Sequence, residues 1–153
     1  MTTPRRGALS GGTLALLVVA AVLVVFAVIR YQRGGSPGTP PPAFAQSVEL
    51  EVASTTAKND NKPILMFFTA DWCGPCKSLK GSALSDAAVV AAVQSKTVPV
   101  YVDCTTDMPS IGQQLGVEGY PTLMLVRDGK EVARLVGAVP TNEILAWLTK
   151  HAG

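Results

Sequence analysis

Two cysteines, Cys73 and Cys76, stand two residues apart in ADWCGPCK (residues 70–77), with Gly74 and Pro75 between them. A pair at this spacing could be a redox dithiol, half of a metal site or a structural disulfide. A structural zinc site takes four ligands. Only Cys104 and His151 remain to complete one, and His151 lies near the C-terminus, so no metal is expected. A disulfide that closes so small a loop gains little chain-entropy stabilisation. Thiol–disulfide exchange suits the spacing best. A helix beginning at Cys73 turns its unpaired N–H groups and positive dipole end towards that sulfur, which favours the thiolate. Cys73 is then the exposed attacking sulfur, and Cys76, one turn on, resolves the mixed disulfide. Pro75 fits the first helical turn, where its missing N–H costs nothing, and Gly74 leaves room for a partner chain.

The elements that must hold this pair alternate along residues 46–153. Residues 46–58 are read as a helix, although Val48, Leu50 and Val52 also alternate as in a strand. PILMFFTA (63–70) is a continuous apolar run, as expected of a strand buried on both faces. The helix from Cys73 weakens at Gly81 and Ser82, and Ser85-Asp86 can cap a second stretch through Val93. TVPVYVD (97–103) is a second buried strand, and Met108 to Leu115 is a short helix closed by Gly116. TLMLV (122–126) and EVARLV (131–136) flank Asp128-Gly129, a strong hairpin signal. Thr141 or Asn142 caps a last helix. The order is α/β: the first two strands are parallel through a helical crossover, the last two form a hairpin, and helices cover both faces.

The N-terminal third differs. Residues 7–29 carry no charge, and as a helix they would measure roughly 34 Å, enough for a bilayer core of about 30 Å. A cleaved signal peptide has a shorter apolar region, about 7–15 residues. The Ala43-Phe44-Ala45 sequence lies too far downstream to mark its cleavage, and no cysteine follows for a lipid anchor. The expectation is an uncleaved single-pass anchor (1–33), a Pro/Gly-rich linker (34–45) and a folded domain (46–153). Arg5, Arg6, Arg30 and Arg33 flank the apolar stretch evenly, so the positive-inside rule gives little orientation. A short tail, one span and a C-terminal domain place the domain on the extracytoplasmic, periplasmic side of the cell membrane. Residues 46–153 hold nine Lys and Arg against eleven Asp and Glu, with no basic stripe to suggest nucleic acid.

ADWCGPCK, GVEGYPTLMLVRDGK (116–130) and VGA (136–138) together resemble the thioredoxin family over about residues 62–150. The ADW start, NKPILMFF and ALSDAAVVAAV (83–93) look closer to the reductase domain of bacterial thiol:disulfide interchange proteins. The resemblance implies a thioredoxin-like fold, with a central mixed sheet flanked by helices, following the transmembrane helix. It makes Cys73 the nucleophile, Cys76 the resolving cysteine and Trp72 the flanking aromatic. It makes Pro121 a cis-proline beside the dithiol, Tyr120 a groove-lining residue, and Gly137 the glycine that admits a substrate backbone, with Gly74 and Pro75 completing the substrate surface.

The chain also departs from the pattern. The family usually carries a buried Asp on the strand leading to the motif, and Phe67 stands there; its companion Lys falls at Pro99 or Val100. The charge pair is missing as a unit, in keeping with the cost of one buried charge without its partner. Either water, Asp71 or Lys77 substitutes for proton handling at Cys76 or the step is slower, and Asp71 and Lys77 also read as solvated surface charges. Cys104 reads as a small buried apolar residue, with a redox role or an intermolecular disulfide as the alternative. The expected function is a membrane-anchored protein-disulfide reductase, without a cofactor, supplied by a membrane electron donor. The alternatives are a disulfide-forming oxidase or isomerase on the same fold, and a non-catalytic tethered client-binding module.

Overall fold

The computed structural model of the chain describes residues 16–25, 38–106 and 110–153. The chain divides into two units, Met1–Arg33 and Gly34–Gly153. In the first, residues 16–25 are helical and exposed. No helix among the described residues is long and apolar enough to cross a membrane, and most of the span expected over 7–29 lies outside them.

The second unit is built on four strands, β1 (Ile64–Thr69), β2 (Val98–Asp103), β3 (Thr122–Arg127) and β4 (Lys130–Val136), in the order β2-β1-β3-β4. β1 runs parallel to β2 and antiparallel to β3, and β3 and β4 form a hairpin. The sheet is therefore mixed, and it is flanked by helices as expected. Every residue of β1 is buried, because helices cover both faces of this central strand. Asp128 and Gly129 both take positive φ, 53° and 74°, the geometry a two-residue hairpin turn requires.

Five helices follow the chain order: α1 (Leu50–Asp60), α2 (Gly74–Gly81), α3 (Ala87–Lys96), α4 (Ser110–Gln114) and α5 (Thr141–His151). On one face of the sheet, Leu65 and Phe67 pack with Leu79, Val89, Ile144 and Leu148 of α2, α3 and α5. On the other face, Met66 and Phe68 pack with Ala53 and Ala57 of α1 and with Val117. Alternation along β1 thus sends odd positions to one core and even positions to the other.

Three element boundaries differ from expectation. α1 begins at Leu50 rather than Gln46, because the residues before it run beside β2: Tyr101 N–H donates to Ser47 Oγ at 2.7 Å and Val48 N–H to Pro99 O at 3.4 Å. α3 is capped by Asp86, whose carboxylate accepts from the N–H groups of Ala88 and Val89, and it continues to Lys96. α5 starts one residue early. Pro140 is its N-cap, extended at φ −73° and ψ 161°, and its carbonyl takes the N–H groups of Glu143 and Ile144, so neither Thr141 nor Asn142 caps it. Met108 lies outside the described residues, and α4 is seen only from Ser110.

The largest shift concerns residues 38–45, expected within an extended linker. They pack on the domain. Pro42–Phe44 form a single 3-10 turn, and Ala43 and Phe44 are fully buried. The Phe44 ring lies 5.3 Å from that of Phe67, and Gly38 N–H donates to the Asp71 carboxylate at 2.6 Å. The prolines make the segment stiff, but its aromatic residue belongs to the core.

Candidate active site

The dithiol sits where β1 gives way to α2. Cys73 N–H donates to Ala70 O at 3.1 Å, which turns the chain out of the strand. Cys73 is the N-cap of α2, and its Sγ accepts the Cys76 N–H at 3.2 Å. One of the amides that a helix start leaves unpaired is thus aimed at this sulfur. The two cysteines are disulfide-bonded. Cys76 is fully buried, and Cys73 is 6% exposed. The exposed attacking sulfur expected from the sequence is instead a narrow window, because Cys73 is bonded to Cys76 and packed with Ala70 and Tyr120. The order of access between the two sulfurs is the one exchange chemistry needs.

Loops at the C-terminal end of the sheet frame this window. Trp72 is 66% exposed. Its Nε1–H donates to Thr105 O at 3.2 Å, and its ring meets Tyr120 edge-on at 5.8 Å. The Thr105 hydroxyl accepts the Asp71 N–H at 2.9 Å and bonds the Asp103 carboxylate, so the loop after β2 grips the loop after β1. The Tyr120–Pro121 peptide is cis. Pro121 O accepts the Gly137 N–H at 2.8 Å, which ties the end of β4 to the start of β3. Gly137 holds φ at +94°, where a side chain would be strained. A Cβ on Gly74 would meet nothing within 4 Å, so the start of α2 is open to an approaching chain. Cys73 and Cys76 pack with Tyr120, Trp72 meets Tyr120 edge-on, Gly74 and Pro75 open α2 beside them, and Pro121 is bonded to Gly137.

The groups considered for proton handling are placed differently. Phe67 is fully buried against Tyr101, with ring centroids 5.9 Å apart, and Pro99 and Val100 are buried in β2, so no charge pair forms there. Lys77 is exposed, and the Asp71 carboxylate is engaged by Gly38. Cys104 is 3% exposed, its N–H donates to Thr69 O at 2.7 Å, and burial pushes its thiol up from the ordinary value. Burial, with the Cys104 thiol beside it, pushes Tyr120 up to about 12. The Tyr120 hydroxyl is buried without a partner in full hydrogen-bonding geometry. The sequence reading missed Lys80. This residue is 2% exposed, and its Nζ donates to the Tyr101 hydroxyl at 2.6 Å. The available signal was its position four residues after Cys76, on the same helical face.

A mixed sheet carrying a dithiol at a helix start, with its second sulfur buried behind the first, defines a thiol–disulfide oxidoreductase. Residues 50–152 match the thioredoxin-like domain family, and the chain belongs to the thioredoxin family. It is 36% identical to Thioredoxin 1 of Synechococcus elongatus over 109 residues, which cover 69% of this chain and 98% of that protein. It is 38% identical to a thioredoxin of Haemophilus influenzae over 93 residues, 61% of this chain and 83% of that protein. Among solved structures, it is similar to the oxidised DsbD c-terminal domain of Neisseria meningitidis, with a TM-score of 0.60 and 26% identity over 70% of this chain and 99% of that one.

Proposed function

We propose that this chain is a membrane-anchored protein-disulfide reductase whose domain works on the extracytoplasmic, periplasmic side. The carrying observation is the Cys76 N–H directed at Cys73 Sγ from 3.2 Å, with Cys76 fully buried behind it. Cys73 attacks a protein disulfide and releases the first substrate thiol. Cys76 then attacks Cys73 Sγ, releases the second, and leaves the pair oxidised. Trp72, Gly74, Pro75, Tyr120, Pro121 and Gly137 form the surface that receives the substrate backbone. A membrane electron donor returns two electrons and two protons to the pair.

The reducing direction is read from Gly74-Pro75 between the cysteines, a pair that resembles that of reducing members of the family. A strong oxidant instead owes its potential to a stabilised reduced form. The uncharged run over 7–29 supports the anchor. The test is the reduction potential of Cys73–Cys76 against glutathione, in the full chain in mild detergent. A value near −270 mV, about that of thioredoxin, is expected, and one near −120 mV, about that of a strong periplasmic oxidant, overturns the reductase reading. Resistance of the expressed chain to alkaline extraction from membranes tests the anchor separately.

A further inference from the structure

A lysine inside a small domain usually keeps its head in water while its stem covers apolar surface. Lys80 does not. It is 2% exposed, its ammonium donates to the Tyr101 hydroxyl at 2.6 Å, and Nζ lies 5.1 Å from the centre of the Tyr101 ring. A buried cation is costly unless it is held and used. The hydrogen-bond partner of Lys80, Tyr101, stands on β2, and the charges that act on Lys80 are Asp103 at the end of β2, Asp71 in the loop after β1 and Lys77 on its own helix. Asp71 and Asp103 stand at the C-terminal end of β1 and β2, the end that carries the dithiol. Lys80 follows Cys76 by one helical turn, both are buried on the sheet side of α2, and Tyr101 pairs with Phe67 in the register of β2 and β1. With Phe67 on the strand beneath, no carboxylate is buried there.

We propose that Lys80 is the positioning charge for the second step of exchange: its ammonium, one turn below Cys76 and held by the Tyr101 hydroxyl, stabilises the Cys76 thiolate as it attacks the mixed disulfide. The balance is simple. Cys73 is bonded to a substrate sulfur; the Cys76 thiol gives its proton to water and its sulfur bonds Cys73 Sγ. The Cys73–substrate bond breaks, and the leaving substrate thiolate takes up a proton. Lys80 stays protonated throughout and exchanges nothing covalently. Burial lowers its affinity for that proton, and the Asp71 and Asp103 carboxylates work against this. They keep the charge in place.

This inference rests on the exchange activity proposed above, and its test separates the two. The full chain, in mild detergent and with Cys104→Ala as background, is mixed with the aromatic disulfide 5,5′-dithiobis(2-nitrobenzoate). The first thiolate released reports attack by Cys73 and the second reports resolution by Cys76. The 13Cβ shift of Cys76 is followed against pH in the reduced chain. An opposite charge within about 4–6 Å shifts a titration by about one unit or more. For K80M the Cys76 midpoint is expected to rise by about one pH unit. The tenfold loss of thiolate is offset partly by higher nucleophilicity, so the second phase slows about three- to fourfold below the midpoint. The first phase stays unchanged, K80R restores the second, and Y101F shifts the midpoint the same way by less. An unchanged Cys76 midpoint in folded K80M and in Y101F overturns the inference. Absence of both phases in the background chain overturns the exchange activity instead.

Discussion

Phe44→Ala tests whether residues 38–45 are part of the domain. Phe44 is fully buried, its ring packs 5.3 Å from Phe67, and it shares a core with Leu84, Val89 and Leu148. Truncating a buried Phe to Ala costs about 3–5 kcal/mol, through lost transfer energy and the cavity left behind. That is a large share of the roughly 5–15 kcal/mol that holds a domain together. At about 4 °C per kcal/mol for a domain of this size, the melting temperature should fall by about 12–20 °C. The assay is thermal unfolding of the full chain in mild detergent, followed by near-ultraviolet circular dichroism. Gln46→Ala, at an exposed position, is the control and should stay within about 0.5 kcal/mol of the parent. A drop of less than about 3 °C for F44A, under 1 kcal/mol on the same scale, would refute the assignment and return the segment to the role of a spacer.

Gly137→Ala forces a side chain into φ +94° and should cost about 1–3 kcal/mol by urea unfolding; an unchanged midpoint would contradict the backbone geometry beside Pro121. Cys104, buried and with its thiol pushed up, should resist iodoacetamide at neutral pH in the folded reduced chain and react only on unfolding. Mass spectrometry of the labelled peptide reads this, and rapid native labelling would refute it. Tyr120 should ionise at about 12, against about 10 in the unfolded chain. The unfolded state then binds fewer protons between these values, so the stability Tyr120 contributes is whole below about pH 10 and lost by about pH 12. Tyrosinate absorbance and unfolding free energies across that window check the sign, and Y120F should flatten the decline.

Much of this fold is written in local pattern. The apolar run at 63–70 has the length and composition of a strand covered on both sides, and Asp128-Gly129 is a strong hairpin signal. Cys-Gly-Pro-Cys carries its own helix start: the first sulfur can take an end amide, proline has no N–H to leave unpaired there, and the fourth residue falls one turn on. What escaped the sequence depends on partners far along the chain. Residues 46–49 have a helical pattern, yet Ser47 and Val48 are held extended by β2, 54 and 51 positions away. The proline run before Phe44 reads as a spacer until the aromatic core that accepts the ring is known. Lys80 has the composition of a solvated helix face, and only the Tyr101 hydroxyl and the packed sheet make it interior.

The last two of these surprises meet at Phe67. A carboxylate at that position would be desolvated between the rings of Phe44 and Tyr101, which costs several kcal/mol unless it is paired. A phenyl ring there instead completes an aromatic row, 5.3 Å from Phe44 on one side and 5.9 Å from Tyr101 on the other. The row recruits the segment before the domain into the core and presents the Tyr101 hydroxyl to Lys80 at 2.6 Å. Where the family usually carries an acidic group under the dithiol, this chain has a phenyl ring, and a buried basic group stands on α2. The consequence for chemistry is a reversal of sign. A buried carboxylate can accept a proton from Cys76, whereas a buried ammonium can only favour its departure. Resolution in this chain should therefore depend on water for the proton and on Lys80 for the charge.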